Sequence, residues 1–224
     1  MLGVIVNTIA VLIGSTIGLF CKKGIPEKFS DAVMKGIALC TIYIGISGAL
    51  KGEDTIVLIL SVVIGAFIGT ALDIDGFIEG IGEKLQGKFG GSRIAEGFMT
   101  ASLLFCIGAM TIVGSLNAGL GDNEMLYTKS VLDFISSIML TVSLGIGVMF
   151  SGAFVLVFQG AIALLASLLM PVLTTPLINE MICAGSLLII GMGLNMLGAT
   201  KIKVANYMPA IFLAPVFEWI AGLI

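Results

Sequence analysis

Residues 2–20 read LGVIVNTIAVLIGSTIGLF, nineteen positions without one ionisable side chain. Wound as an α-helix, such a run is about 28 Å long, close to the roughly 30 Å hydrocarbon core of a bilayer. It is expected to cross a membrane. Runs of the same character recur at Ala32–Leu50, Thr55–Leu72, Ile94–Leu116, Thr128–Phe150, Ala153–Val172, Leu177–Leu197 and Val204–Ile224, which makes eight predicted spans. The fifth contains Lys129 and Asp133, and the last contains Pro209, Pro215 and Glu218. Seven crossings remain if the last is re-entrant or interfacial.

Composition agrees. Of 224 residues, 58% are hydrophobic and 11% charged, with a mean hydropathy of +1.17. A soluble domain carries about 25% charged residues, so a solvated surface cannot be built from this chain. The expected fold is an all-α polytopic transmembrane bundle, with residues 1–224 forming a single integral membrane domain. The first run leads into Cys21-Lys22-Lys23 with no small-residue cleavage signature, so it reads as a retained helix.

Eleven Lys+Arg against fourteen Asp+Glu, a net charge of -3, leave no basic face for a phosphate backbone, and nucleic acid is not expected as a partner. There is no histidine, and Cys21, Cys40, Cys106 and Cys183 form no C-x-x-C pair. Neither a metal site nor a cofactor is expected, and no nucleophile has an imidazole base. Enzymatic activity is therefore not expected.

Basic residues set the orientation. Lys22, Lys23 and Lys28 follow the first run, Lys84, Lys88 and Arg93 the third, and Lys201 and Lys203 the seventh. With the amino terminus outside, all eight are cytoplasmic. Between the third and fourth runs, Ile74, Phe77, Ile78, Ile81, Leu85 and Phe89 recur at helical spacing, which predicts a cytoplasmic amphipathic connector over residues 74–90.

The segment IGSTIG at Ile13–Gly18 is echoed by IGAFIG at Ile64–Gly69, and Cys40–Leu50 aligns without a gap to Cys106–Leu116, pairing Gly48 with Gly114. This suggests a tandem helix hairpin. Glycines four apart let helix backbones approach closely, so Gly14 with Gly18, Gly65 with Gly69, and Gly114 are expected to mark packing seams, between the repeated units or in a homodimer.

A charge within lipid needs a reason, since it costs about 3 kcal/mol even on lenient scales. In the fifth run Lys129, Asp133, Ser136 and Ser137 share one helical face. Two readings fit: a structural pair near the outer interface, or the charged lining of a polar cavity. Asn117, Gln159 and Asn195 are the further candidates for a polar path, and Asn7 and Asn206 are lone amides that can cross-link helices. Asn195 follows Gly191 and Gly193, where unwinding of the helix would face carbonyls into a cavity. Glu96 and Glu180, at helix amino ends, read as solvated interface charges.

The stretch Gly108–Leu116 with Gly119 and Gly121, the run Lys129–Asp133, Gly145-Ile146-Gly147, Gly191–Asn195 and Lys201–Asn206 together resemble the YqgA-like bacterial inner-membrane proteins, a family that includes the YdfK type. The resemblance spans nearly the whole chain. It implies an integral inner-membrane protein and supplies no substrate or catalytic residue. The expected function is a gradient-driven transporter or channel-like permease for a small solute or ion, with Asp133 as its coupling carboxylate. The alternative is a non-transporting scaffold or sensor that dimerises and meets a cytoplasmic partner.

Overall fold

In a computed structural model of the protein, residues 1–22, 27–78, 80, 94–169 and 171–222 are described. Among them the chain is all helix and turn, without a strand. The helices are α1 (Leu2–Lys22), α2 (Glu27–Ala49), α3 (Thr55–Ala71), α4 (Ile94–Cys106), α5 (Ala109–Gly119), α6 (Glu124–Leu144), α7 (Gly147–Leu164), α8 (Ala166–Leu169), α9 (Thr175–Met196), the 3-10 turn η1 (Val204–Tyr207) and α10 (Pro209–Ala221). Five segments are long and apolar enough to cross a membrane: α1, α6, α7, α9 and Val204–Ala221. The bent pair of α4 and α5 makes a sixth if it is counted as one broken span, and Met34–Ala49 and Thr55–Ala71 are shorter apolar helices. Residues 74–78 and 80 of the expected connector are helical, and the rest of it lies outside the described residues.

Local chemistry sets the helix ends. Asp54 caps α3 by accepting the N–H groups of Ile56 and Val57 at 2.8 and 3.2 Å. Pro176 and Pro209 sit in first turns, where the missing N–H leaves no hydrogen bond unmade. Two breaks fall where the apolar runs did not predict them. The boundary between the fifth and sixth runs was expected after Phe150, but α6 ends at Leu144 because Gly145 takes a left-handed φ of 79°. The fourth run, expected as one helix, bends by 65° at Ile107-Gly108. There the Thr111 hydroxyl donates to the Phe105 carbonyl at 2.7 Å, satisfying an acceptor near the end of α4.

The helices cluster into two compact units, each assembled from two separate stretches of chain. The first, Met1–Ile37 with Ile81–Pro171, holds α1, the start of α2 up to Ile37, and α4 to α8; the second, Ala38–Gly80 with Val172–Ile224, holds the rest of α2 together with α3, α9, η1 and α10. In the first, α1 lies along α6 and also meets α7, while α4 packs on α7. In the second, α10 packs on α3 and on α9.

Both units invert the soluble pattern. Ile5, Ile9, Ile13 and Ile17 line an exposed face of α1, whereas Asn7, Ser15, Gly14 and Gly18 are turned inward. On α3, Ile56, Ile59, Val63 and Phe67 are exposed, whereas Ser61, Gly65 and Gly69 are buried. Lipid tails make an outward aliphatic surface costless, and small inward residues let the helices touch.

The glycine pairs do this work inside the chain. A Cβ on Gly14 would collide with Ser137 Oγ, and one on Gly18 would lie 2.7 Å from the Ile138 carbonyl, both on α6. Gly65 seats Ala210, and Gly69 seats the backbone of Asn206. Gly114 seats Leu126 at 3.0 Å. Each of the five faces a helix or turn of its own unit.

Candidate functional site

In the first unit α6 carries Lys129, Asp133, Ser137 and Thr141 at four-residue intervals, one stripe of a helix, and all four are buried. Lys129 Nζ donates to both carboxylate oxygens of Asp133, at 2.8 and 2.7 Å, and the two residues are 6% and 5% exposed. Asn7 of α1 closes the group from across the seam. Its Nδ2 donates to Asp133 Oδ2 at 3.0 Å and to Gln159 Oε1 of α7 at 3.3 Å. Three helices thus meet in one chain of hydrogen bonds whose formal charge is zero.

Two ends of this network are open. Asn7 Oδ1 and Gln159 Nε2 are buried without a partner. Six hydroxyls of the same unit are likewise buried and unpartnered: Ser15, Thr100, Ser102, Ser115, Thr141 and Ser143. Cys106, the last residue of α4, lies close enough to feel both charges of the ion pair. The break between α4 and α5 directly follows this residue, in the same unit as the ion pair. Discontinuous helices in membranes are tolerated where their loose ends face protein or a hydrated cavity.

Asn7→Ala is expected to destabilise the protein by about 1–3 kcal/mol, because it strands Gln159 Oε1 and removes a donor from a buried carboxylate. Denaturation of the purified variant in detergent, compared with Ile9→Ala on the exposed face of α1, measures it. Equal losses would show that the amide bridge contributes nothing.

Not every expected residue joins the group. Ser137 donates to its own helix, at the Phe134 carbonyl 2.8 Å away, and packs against Gly14. Ser136 is half-buried, and half-buried Asn117 stands in the last turns of α5, where its carbonyl accepts from Leu120 and Asp122. Asn195 belongs to the second unit. Its Nδ2 donates to the Ile202 carbonyl at 2.7 Å, and its Oδ1 accepts from Thr200 Oγ1 at 2.7 Å and Ile202 N at 2.9 Å. It laces the turn after α9, which stays helical through Gly191 and Gly193, so the expected unwinding does not occur. Glu180 corrects the sequence reading in the other direction: it is 1% exposed, not solvated.

The family model described as "Protein of unknown function (DUF554)" matches residues 2–219. The chain belongs to the DUF554 family. It is 35% identical over 221 residues to the "Uncharacterized membrane protein YdfK" of Bacillus subtilis, covering 96% of this chain and 95% of that one. It is 28% identical over 222 residues to the "Uncharacterized protein YqgA" of Escherichia coli, covering 96% and 94%. No solved structure matches the chain. Membership, the YdfK relative and the lipid-adapted helices together make this DUF554 chain a membrane protein, as its apolar runs led one to expect.

Proposed function

We propose that this DUF554 protein is a gradient-driven transporter or channel-like permease for a small solute or ion, with Asp133 as the coupling carboxylate and Lys129 as its counter-ion. One observation carries the reading. Among the described residues, eight of the nine buried side-chain atoms without a hydrogen-bond partner lie in the unit that also holds the ion pair and the bent helix. In hydrocarbon each such atom is costly unless a polar molecule reaches it, and intramembrane charges mark ion and proton routes. Asn7 Oδ1 seeks a donor and Gln159 Nε2 an acceptor, so a molecule passing the pair is met by both. Protonation of Asp133 would remove the charge that holds Lys129, coupling the charge state of the site to its ion pair.

In the same proposal the protein lies in the bacterial inner membrane with its amino terminus outside. It is a homodimer whose contacts use the exposed aliphatic faces, since the glycine seams are occupied within the chain.

Water access tests the reading. In a cysteine-free background, single cysteines at Ser15 and Thr141 are expected to react with a water-soluble maleimide in intact proteoliposomes, while a cysteine at lipid-facing Ile13 does not. If Ser15 and Thr141 stay as unreactive as Ile13, the interior is dry and the scaffold reading takes over. Solutes selected by a thermal-shift screen of ions, amino acids and small carboxylates then enter uptake assays, where Asp133→Asn abolishes accumulation while insertion is kept.

A further inference from the structure

The second unit buries a carboxylate of its own, and among the described residues this one has no counter-ion. Glu180, in the second turn of α9, directs Oε1 to the backbone N–H groups of Glu53 and Asp54, at 2.6 and 3.1 Å. Its Oε2 is buried and accepts nothing. An ionised carboxylate can accept about four hydrogen bonds, and removal from water penalises it heavily when a lone pair stays open. Asp133 meets that demand with Lys129 and Asn7. Glu180 meets it on one oxygen only.

The groups around Glu180 deepen the imbalance. Glu218 of α10 feels the negative charges of Glu180, Asp54 and Glu53, and Cys183, one turn along α9, feels that of Glu180. The Cys183 thiol donates to the Ala49 carbonyl at 3.1 Å, so it is not a donor to Glu180. Lys51, the cation of that loop, is exposed. A Cβ on residue 52 would lie 2.5 Å from Cys183 Sγ and 3.3 Å from Oε2, so glycine at that position lets the loop lie close against the open oxygen.

We propose that Glu180 Oε2 binds a singly charged cation, an alkali-metal ion, beside Gly52. Three acidic or thiol side chains close enough to hold a metal ion do not occur among the described residues, which argues against a divalent centre. One positive charge satisfies the open oxygen and offsets the repulsion of Glu53, Asp54 and Glu218. Because Glu180 also holds the loop before α3 by its backbone, cation binding stiffens that loop. The inference does not rest on the transport reading, since it concerns residues of the other unit.

Thermal unfolding of the full chain in a non-ionic detergent tests it. The salts are sodium, potassium or N-methylglucamine chloride at one ionic strength and one neutral pH. Binding to the folded state raises the midpoint. A rise with sodium or potassium over N-methylglucamine that is lost in Glu180→Gln identifies an alkali ion at this carboxylate. The glutamine keeps an acceptor for Glu53 and Asp54. No response in the wild type, or an equal response in Glu180→Gln, overturns the proposal. If that variant does not fold, Glu218→Gln is the second arm: a severalfold weaker response supports the site, and an unchanged one overturns it.

Discussion

Lys129→Met is expected to lower the unfolding free energy by about 3–5 kcal/mol, the usual loss when one partner of a buried ion pair is removed and the other stays. Asp133 would keep only the 3.0 Å bond from Asn7. The paired variant Lys129→Met with Asp133→Leu is expected to regain most of that loss, since a well-packed apolar pair of similar volume is often as stable as the ions it replaces. Denaturation of wild type, both single variants and the double variant closes the cycle. A double variant no more stable than Lys129→Met would show that the pair holds α1, α6 and α7 together. Recovered stability with lost water access would show that the pair is kept for function.

Gly69→Ala is expected to cost about 1–3 kcal/mol, toward the upper end, because the added methyl meets backbone that cannot rotate away. The neighbour is the Asn206 carbonyl in η1. Asn206 also accepts the Asp75 N–H through Oδ1 at 2.8 Å, so a displaced turn carries that contact with it. Gly36→Ala is the matched control. Nothing lies within 4 Å of its Cβ position, so the substitution is expected to stabilise α2 by roughly 0.4–1 kcal/mol through the unfolded chain. If Gly69→Ala unfolds at the wild-type midpoint, α3 and η1 are not closely seated.

How far the sequence could be read depended on the range of the interaction. Lys129 and Asp133 are four residues apart on one helix, so their pairing followed from helical pitch. Asn7 was visible only as an isolated amide, because its partners are 126 and 152 residues away. Asn195 misled for the opposite reason. An amide beside two glycines resembles an unwound site, but local hydrogen bonds to Thr200 and Ile202 absorb it. The breaks at Gly108 and Gly145 were hidden because both lie within apolar sequence, and hydropathy does not register a change of φ.

Lipid residence was decided by composition and by uncharged runs, because the transfer of side chains into hydrocarbon is a sum over residues and needs no coordinates. Which polar groups share an interior, and which acid lacks a counter-ion, was decided only by tertiary packing. A buried charge is judged by what stands next to it. Asp133 is met by Lys129 of its own helix and by Asn7 from α1, while among the described residues Glu180 is met by two backbone N–H groups and no cation, and the long-range half of that difference is contained in no window of sequence.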